Sequence, residues 1–386
     1  MIPKPDLDAV VIGAGVAGVS LVSHLAASPW RYRRVLLLDR DEAPLTGRAW
    51  SFWAAGPRLA DAAVSRSWAT AAIYAAGGYH RVALDPYRYS FVRGSDLMQV
   101  HRHLLRQAPR FERRTTTVRS VASGSATQPA VVRTDAGEVT ARWVFDSRRP
   151  DSGPAATMVF RGHEIAFDRP LPDQGTVTFL DFRVPRSDAL TFAYLLPIAP
   201  HRAIVDLVEL VGPSERDRHP SGTGGEPARE SLDRYLREVR GLSDWSVMRT
   251  EQDALPLRPT ATRPRRSSRI LAIGRAAGLL RASTGFAFDR IQRDSVRITE
   301  SLVNHDDPGT GWRPPRRHAW LDAVFLQVAL HEPEHVETAM ARLFRQPSAA
   351  LPLAFLDGDT SLEQEAQLIR HLPYRPFLRG ALATRR

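Results

Sequence analysis

Residues 8–39 constrain the fold more than any other part of this 386-residue chain. The segment VVIGAGVAGVSL sets Gly13, Gly15 and Gly18 in GxGxxG register. An apolar strand (8–12) precedes the glycines, a helix (16–28) follows, and a second strand (34–39) ends on Asp39. This order predicts a βαβ unit, and with it a parallel sheet and a right-handed crossover. Gly13 permits the tight turn, Gly15 lets backbone approach a pyrophosphate, and Gly18 lets helix and strand pack closely. The helix N-terminus adds positive potential for phosphates, and Asp39 can accept hydrogen bonds from a ribose. Dinucleotide binding is therefore expected, with FAD and NAD both open at this point.

A second glycine-rich turn lies far downstream, in ILAIGRAAGLLRASTGFAFDRIQRDS (270–295). A short apolar run stops at Gly274, small residues continue to Gly278, and Ser283-Thr-Gly285 leads into a helix-compatible segment. A flavin dinucleotide is long, and a second turn would bring backbone N–H groups to its far phosphate and flavin end. The two turns together favour FAD. Arg93 stands just before a segment with helical spacing at Leu97, Val100 and Leu104. It is a candidate cofactor contact or a plain surface arginine.

The chain has no cysteine, which excludes thiolate metal sites, disulfides and cysteine nucleophiles. Its histidines are scattered, and no metal is expected. The net charge of +11 suits a solvated basic surface or attraction to anionic headgroups. No nucleic-acid motif accompanies the basic clusters at 101–119 and 258–269, so no nucleic-acid partner is expected. The polar opening does not read as a signal peptide, and no apolar run reaches the length of a membrane span. A cytoplasmic protein is expected, at most peripheral on the inner face of the membrane.

Segments 117–121, 131–134 and 143–146 read as strands. From 157 to 210 the texture becomes β-rich, with 177–183, 190–196 and 203–210 suggesting an antiparallel sheet. A polar loop (212–230) and a helix (231–242) follow, and the chain after 296 is mostly helical. The expected fold class is α/β: a Rossmann-like FAD-binding domain (1–150 and 266–305), an inserted antiparallel β-rich substrate subdomain (151–265) and a helical C-terminal region (306–386).

Several segments carry a family likeness. Trp50-Ser-Phe-Trp53 is similar to TWSFW, Val144-Phe-Asp-Ser-Arg148 to a strand ending in DSR, and Phe179-Leu-Asp-Phe-Arg183 to LMDFR. Phe192-Ala-Tyr-Leu-Leu-Pro197 is similar to FxYxLP, and Ser283–Phe288 with Arg290-Ile-Gln292 to STGYxFxRIQ. Leu321–Leu326, Phe355–Asp357, Leu372-Pro and Pro376–Leu378 add C-terminal landmarks. Over nearly its full length the chain resembles the lycopene β-cyclases, FAD-dependent carotenoid cyclases of bacteria and plants. The resemblance implies a non-redox reaction. An acid protonates a terminal alkene, the neighbouring double bond attacks the cation, and loss of a proton leaves a ring. FAD acts there in its reduced form, with NADPH as the expected reductant. A carbocation wants a dry pocket and an electron-rich face, which agrees.

The family's acid is a glutamate in a segment like ALVExT. Here the matching stretch is Arg202-Ala-Ile-Val-Asp-Leu-Val-Glu209, with Asp206 at that position. Burial between Val205 and Leu207 would raise its pKa and keep it protonated, whereas a surface or salt-bridged aspartate would stay charged. Glu209 should face the other side of a regular strand and serves as the acid only if a bulge intervenes. His163 stands where the family commonly has tryptophan. Trp50, Phe52, Trp53, Phe160, His163, Tyr194, Phe286 and Phe288 are the candidate pocket residues, any of which can instead be ordinary core.

The implied partner is a hydrophobic isoprenoid, lycopene or another polyprenyl compound, taken from a bilayer. Segment 320–330 has an amphipathic pattern, with Leu321, Val324, Phe325 and Val328 on one face, and 372–382 mixes apolar residues with arginine as interfacial segments do. Core packing is the better reading of the first and an equal one of the second. A flavin redox enzyme on the same scaffold is the alternative reading, as is a cyclase of another prenylated substrate.

Overall fold

The computed structural model describes residues 5–75, 78–125, 128–148, 153–184, 188–213, 228–259, 267–309, 315–346 and 348–384. Strand β1 (Leu7–Ile12), helix α1 (Val16–Ala26) and β2 (Val35–Asp39) form the expected βαβ unit. There follow β3 (Ala49–Ala55), β4 (Val64–Trp68), β5 (Thr70–Ala75), β6 (Gly78–Ala83), β7 (Tyr87–Arg93) and α2 (Gly94–Leu105). Next come β8 (Phe111–Thr115), β9 (Val118–Ala122), β10 (Ala130–Thr134) and β11 (Gly137–Asp146).

The next strands are β12 (Ala156–Phe167), β13 (Thr176–Asp181), β14 (Leu190–Ala199) and β15 (Arg202–Val211). Helix α3 (Ala228–Arg234) runs into a π-helical turn (Tyr235–Val239), and β16 (Trp245–Leu257) and β17 (Ile270–Ala272) follow. The remainder is helical: α4 (Phe288–His305), α5 (Arg317–His331), α6 (Pro333–Leu343), α7 (Ala350–Asp357), α8 (Leu362–Ile369) and α9 (Tyr374–Ala383).

The first sheet runs β8-β2-β1-β11-β10-β9, with β17 beside β11. Its centre is parallel, β1 lying between β2 and β11, while β9, β10 and β11 form an antiparallel meander. The centre is buried on both faces, so β1 and β2 read as continuous apolar runs. Helix α4 packs on α1 over one of these faces, which returns the distal segment to the N-terminal unit.

The second sheet runs β16-β12-β15-β14-β13-β5-β6. It is antiparallel except where β13 pairs parallel with β5. Strands β5 and β6 come from within the first 150 residues yet complete this sheet. One face carries Met158, Phe192, Tyr194, Val208 and Leu210 toward the C-terminal helices. The other carries Ile165, Leu195, Val205 and Leu207 against Leu232, Tyr235 and Leu236. The period of two along β15 thus decides which side chains meet which core. A small third sheet, β3-β7-β4, completes the architecture. Most of the polar loop at 212–230, and the middle of the basic cluster at 258–269, lie outside the described residues.

Candidate active site

The N-terminal turn is held as its glycines require. Gly13 has φ +94°, and a Cβ there would fall 2.0 Å from Ser147 Oγ. That hydroxyl donates to Ile12 O at 2.7 Å, so the Asp-Ser-Arg stretch ending β11 braces the turn. A Cβ at Gly18 would lie 1.8 Å from Gly13 O, the close helix–strand approach the spacing predicts. At Gly15 no heavy atom lies within 4 Å of the Cβ position, leaving its outer side open. Asp39 accepts from Ala14 N at 2.5 Å and from Asp41 N at 2.9 Å. It therefore tethers the second strand to the turn.

The distal turn comes to the same place. Gly274 (φ +60°) abuts α1, where a Cβ would lie 2.5 Å from Ala17 Cβ, and Gly278 (φ +78°) ends the short helical turn after it. Gly285 (φ +75°) carries the chain down onto the second sheet, against Met158 Sδ and Leu255 Cδ2. Asp322 of α5 pins this loop. It accepts from Ser283 Oγ at 2.7 Å and Ala282 N at 3.2 Å, and it pairs with Arg281 at 3.1 Å. Its place within the landmark 321–326 was the only sequence signal for that role. Arg93, at the start of α2, donates to Glu164 of β12 at 3.0 Å and so bridges the small sheet to the large one.

An apolar cavity opens between the second sheet and the C-terminal helices. It is lined by Trp53, Met158, Phe179, Phe192, Tyr194, Ser283, Thr284 and Phe286, and by Phe325, Leu326 and Met340. Trp53 packs on Phe286 at 4.4 Å between ring centroids and edge-on to Phe179 at 5.8 Å. Of the candidate pocket residues, Trp53, Tyr194 and Phe286 line this space. Phe160 packs against the same core. Phe52 and Phe288 instead stack on each other at 4.6 Å in the core of the first unit, with Trp50 beside Phe288. They join β3 to α4.

Asp206 lies in a row across four strands. Tyr194 of β14 and Gly162 of β12 are its direct partners, and Glu251 of β16 faces Gly162. All four share the face that looks toward the cavity core. A Cβ at Gly162 would fall 2.3 Å from Asp206 Oδ1, so the carboxyl lies over the glycine. Burial, then the nearby charge of Glu251, pushes Asp206 up to about 7. Burial also raises Tyr194 and Tyr89, and Asp206 adds to both.

The β12–β15 pairing is regular through this stretch, so Glu209 points the opposite way and pairs with Arg161 at 3.3 Å. The bulge that would turn Glu209 toward Asp206 does not occur there. His163 also faces the opposite side. It is 4% exposed, lies 3.3 Å from Thr250 Oγ1, and burial lowers its pKa to about 4. Neither shares a face with Asp206. Sequence reasoning missed Glu251 and Tyr89, which no motif marks.

One histidine pair stands in HExxH spacing, His331-Glu-Pro-Glu-His335. The motif needs one continuous helix to set both rings on a face. Here α5 ends at His331 and Pro333 begins α6, so the rings lie on different helices. Among the described residues, no three histidine or carboxylate groups converge to hold a metal.

The paired turns and the overlying sheet define a flavoprotein fold. The solved structures agree. A geranylgeranyl bacteriochlorophyll reductase-like protein from Thermoplasma acidophilum is 11% identical, with 97% of this chain and 98% of that one covered, at TM-score 0.59. A flavoprotein/dehydrogenase from Cytophaga hutchinsonii is 13% identical, with 94% and 98% covered, at TM-score 0.60. The halogenase PltM, solved with phloroglucinol and FAD, is 12% identical, with 95% and 85% covered, at TM-score 0.54. No curated protein matches the chain by sequence. The family model for lycopene cyclase protein matches residues 8–382. The chain belongs to the lycopene cyclase family.

Proposed function

We propose that this protein is an FAD-dependent isoprenoid cyclase in which Asp206 is the proton donor. The carrying observation is a carboxyl raised to about 7 that stands directly across from Tyr194, a wall residue of the apolar, aromatic-lined cavity. A carboxylic acid that keeps its proton near neutral pH can protonate an alkene, and its apolar surroundings are what raise it. The dry walls keep water from trapping the cation, and the aromatic faces of Trp53, Phe286 and Tyr194 stabilise positive charge.

The residues fit FAD. The open side of Gly15 and the α1 N-terminus would take the pyrophosphate, and Asp39 the adenosine ribose. Gly274–Gly278 would approach the far phosphate, and Gly285 the flavin end. When bound in its reduced form, with NADPH as reductant, FAD would supply an electron-rich face for the cation. Asp206 donates its proton to a terminal alkene carbon, the neighbouring double bond closes the ring, and a ring proton leaves. The product is therefore isomeric with the substrate.

The proposed substrate is lycopene or a related polyprenyl chain drawn from a bilayer. Among the described residues, no helix is long and apolar enough to cross a membrane. Tyr374, Leu378 and Leu382 recur every four residues along α9 and are 57–68% exposed. Arg375 and Arg379 lie on the same helix, and Trp320 of α5 is also exposed. An exposed apolar stripe with arginines suits a membrane surface. Helix α9 packs on α5, which contributes Phe325 and Leu326 to the cavity wall, so docking there would place the cavity near the lipid.

The test is anaerobic incubation of the FAD-loaded, reduced protein with lycopene, comparing product mass and absorption. A cyclic isomer without net cofactor turnover supports the reading. Product formed only with stoichiometric NADPH or oxygen consumption would replace it with a redox reaction.

A further inference from the structure

Asp206 has a second carboxylate on its own face of the sheet. Glu251 lies across Gly162 from it, so the two backbones stand two strand spacings apart, roughly 9.6 Å. Every other way of filling that position would place a side chain between them. Gly162 places none, and its Cβ site lies 2.3 Å from Asp206 Oδ1 and 3.8 Å from Glu251 Cβ.

The two carboxyls differ in position. Asp206 lies on an inner strand beside Tyr194, which lines the cavity, whereas Glu251 is on the sheet's edge strand with its side chain 38% exposed. We infer that Glu251 is a proton-relay residue, reloading Asp206 from solvent between turnovers across the gap that Gly162 leaves. This rests on Asp206 being the donor in the reaction proposed above.

The balance is simple. Each ring closure takes one proton from Asp206 and releases one ring proton to solvent. Glu251 carboxylate takes up one proton from bulk solvent and passes it, through a water between the two groups, to the Asp206 carboxylate that lies over Gly162. No oxidant or other co-reactant is involved.

The charges around the pair permit this. Glu251 faces Arg249 on its own strand at 2.5 Å, Arg93 and Arg48 from the first unit, and Glu164 of β12. Burial raises its pKa first, and the arginines pull the other way. Asp206 faces Tyr89, Tyr194 and Glu251, with no cation among them. Glu164 lies on the same face but is held by Arg93 at 3.0 Å and is only 11% exposed. Glu251, on the edge strand and not locked as Glu164 is, is therefore the one placed to exchange protons with solvent.

The experiment uses the full-length, FAD-loaded, reduced protein with lycopene in vesicles, as wild type, Glu251→Gln and Glu251→Asp. Steady turnover of Glu251→Gln should fall about a hundredfold, the low end of the range for lost proton transfer. Glu251→Asp should restore most of it. Removing the neighbouring negative charge also moves the upper pH midpoint of Glu251→Gln downward. In D2O, product made in excess over wild-type enzyme should carry one deuterium per ring.

Wild-type turnover and an unmoved midpoint in Glu251→Gln would overturn the relay, as would product that gains no deuterium after the first turnover. If the wild type makes no ring, the cyclase reading fails on its own account. The relay is then judged by carboxyl titration of labelled aspartate, followed by NMR. An Asp206 midpoint near 7 that drops in Glu251→Gln supports the coupling, and an unmoved one overturns it.

Discussion

Gly162 and Asp206 stand directly opposite one another in the antiparallel β12–β15 pair, and the aspartate's carboxyl occupies the space a side chain at 162 would fill. A strand glycine often marks close approach by another group. Here that group is the candidate proton donor, so the glycine sets where the acid points.

Gly162→Ala should therefore move the acid. A methyl group 2.3 Å from Oδ1 forces the carboxyl off its position. Cyclisation should fall by on the order of a hundredfold, because a misplacement of about 1 Å can cost that much. Flavin absorbance of the purified variant should match wild type, since the dinucleotide turns lie on the other sheet.

Asp206→Asn removes the proton while keeping the shape. Ring formation should drop by roughly 10²–10⁴, the usual contribution of a positioned acid. Bound FAD, read from its absorbance, should be unchanged. Near-normal turnover in this variant would exclude Asp206 as donor.

The pH dependence has a definite sign. Asp206 is raised from 3.8 to about 7, so its protonated, donating form dominates below about 7. Turnover should fall as pH rises through that value. Between 3.8 and about 7 the folded chain also holds a proton that the unfolded chain has lost, so this group's contribution to stability falls as pH rises across the window. Chemical denaturation of wild type and Asp206→Asn at pH 5 and pH 8 checks this, the asparagine variant showing the flatter response.

Gly18→Ala should abolish flavin retention. Its Cβ would sit 1.8 Å from Gly13 O, so α1 must shift away from the turn. The purified protein should be colourless, and a thermal scan should show a lowered transition, as overpacked backbone contacts cost about 1–3 kcal/mol.

Leu378→Glu with Leu382→Glu tests the membrane surface. Both side chains are 57% exposed, so folding should be little affected. Co-sedimentation with anionic vesicles should fall severalfold, and the melting temperature should stay within a few degrees of wild type. Unchanged sedimentation would remove α9 as the contact.

Much of the flavoprotein unit was legible in the chain because its signals are local. The glycine spacing, the apolar strands and Asp39 each dictate geometry within a few residues of themselves. The distal turn was legible for the same reason, and Gly274 resting on Ala17 shows the two turns meeting. The aromatic residues were harder, because spacing gives a face but not its neighbour. Trp53 and Phe286 line the cavity, whereas Phe52 and Phe288 stack with each other in the first core.

The sequence by itself determined the βαβ unit, the second turn, the family likeness and the position of the candidate acid. It also held the alternation that separates Asp206 from Glu209, a consequence of the two-residue period of any strand. Only the tertiary structure decided that β12 and β15 pair without a bulge, and so that Glu209 and His163 face away. It alone brought Glu251 and Gly162 into line with Asp206, across strands about 45 and 90 residues apart in the chain. Such pairings depend on which strands meet in the sheet, and no short stretch of the chain records that.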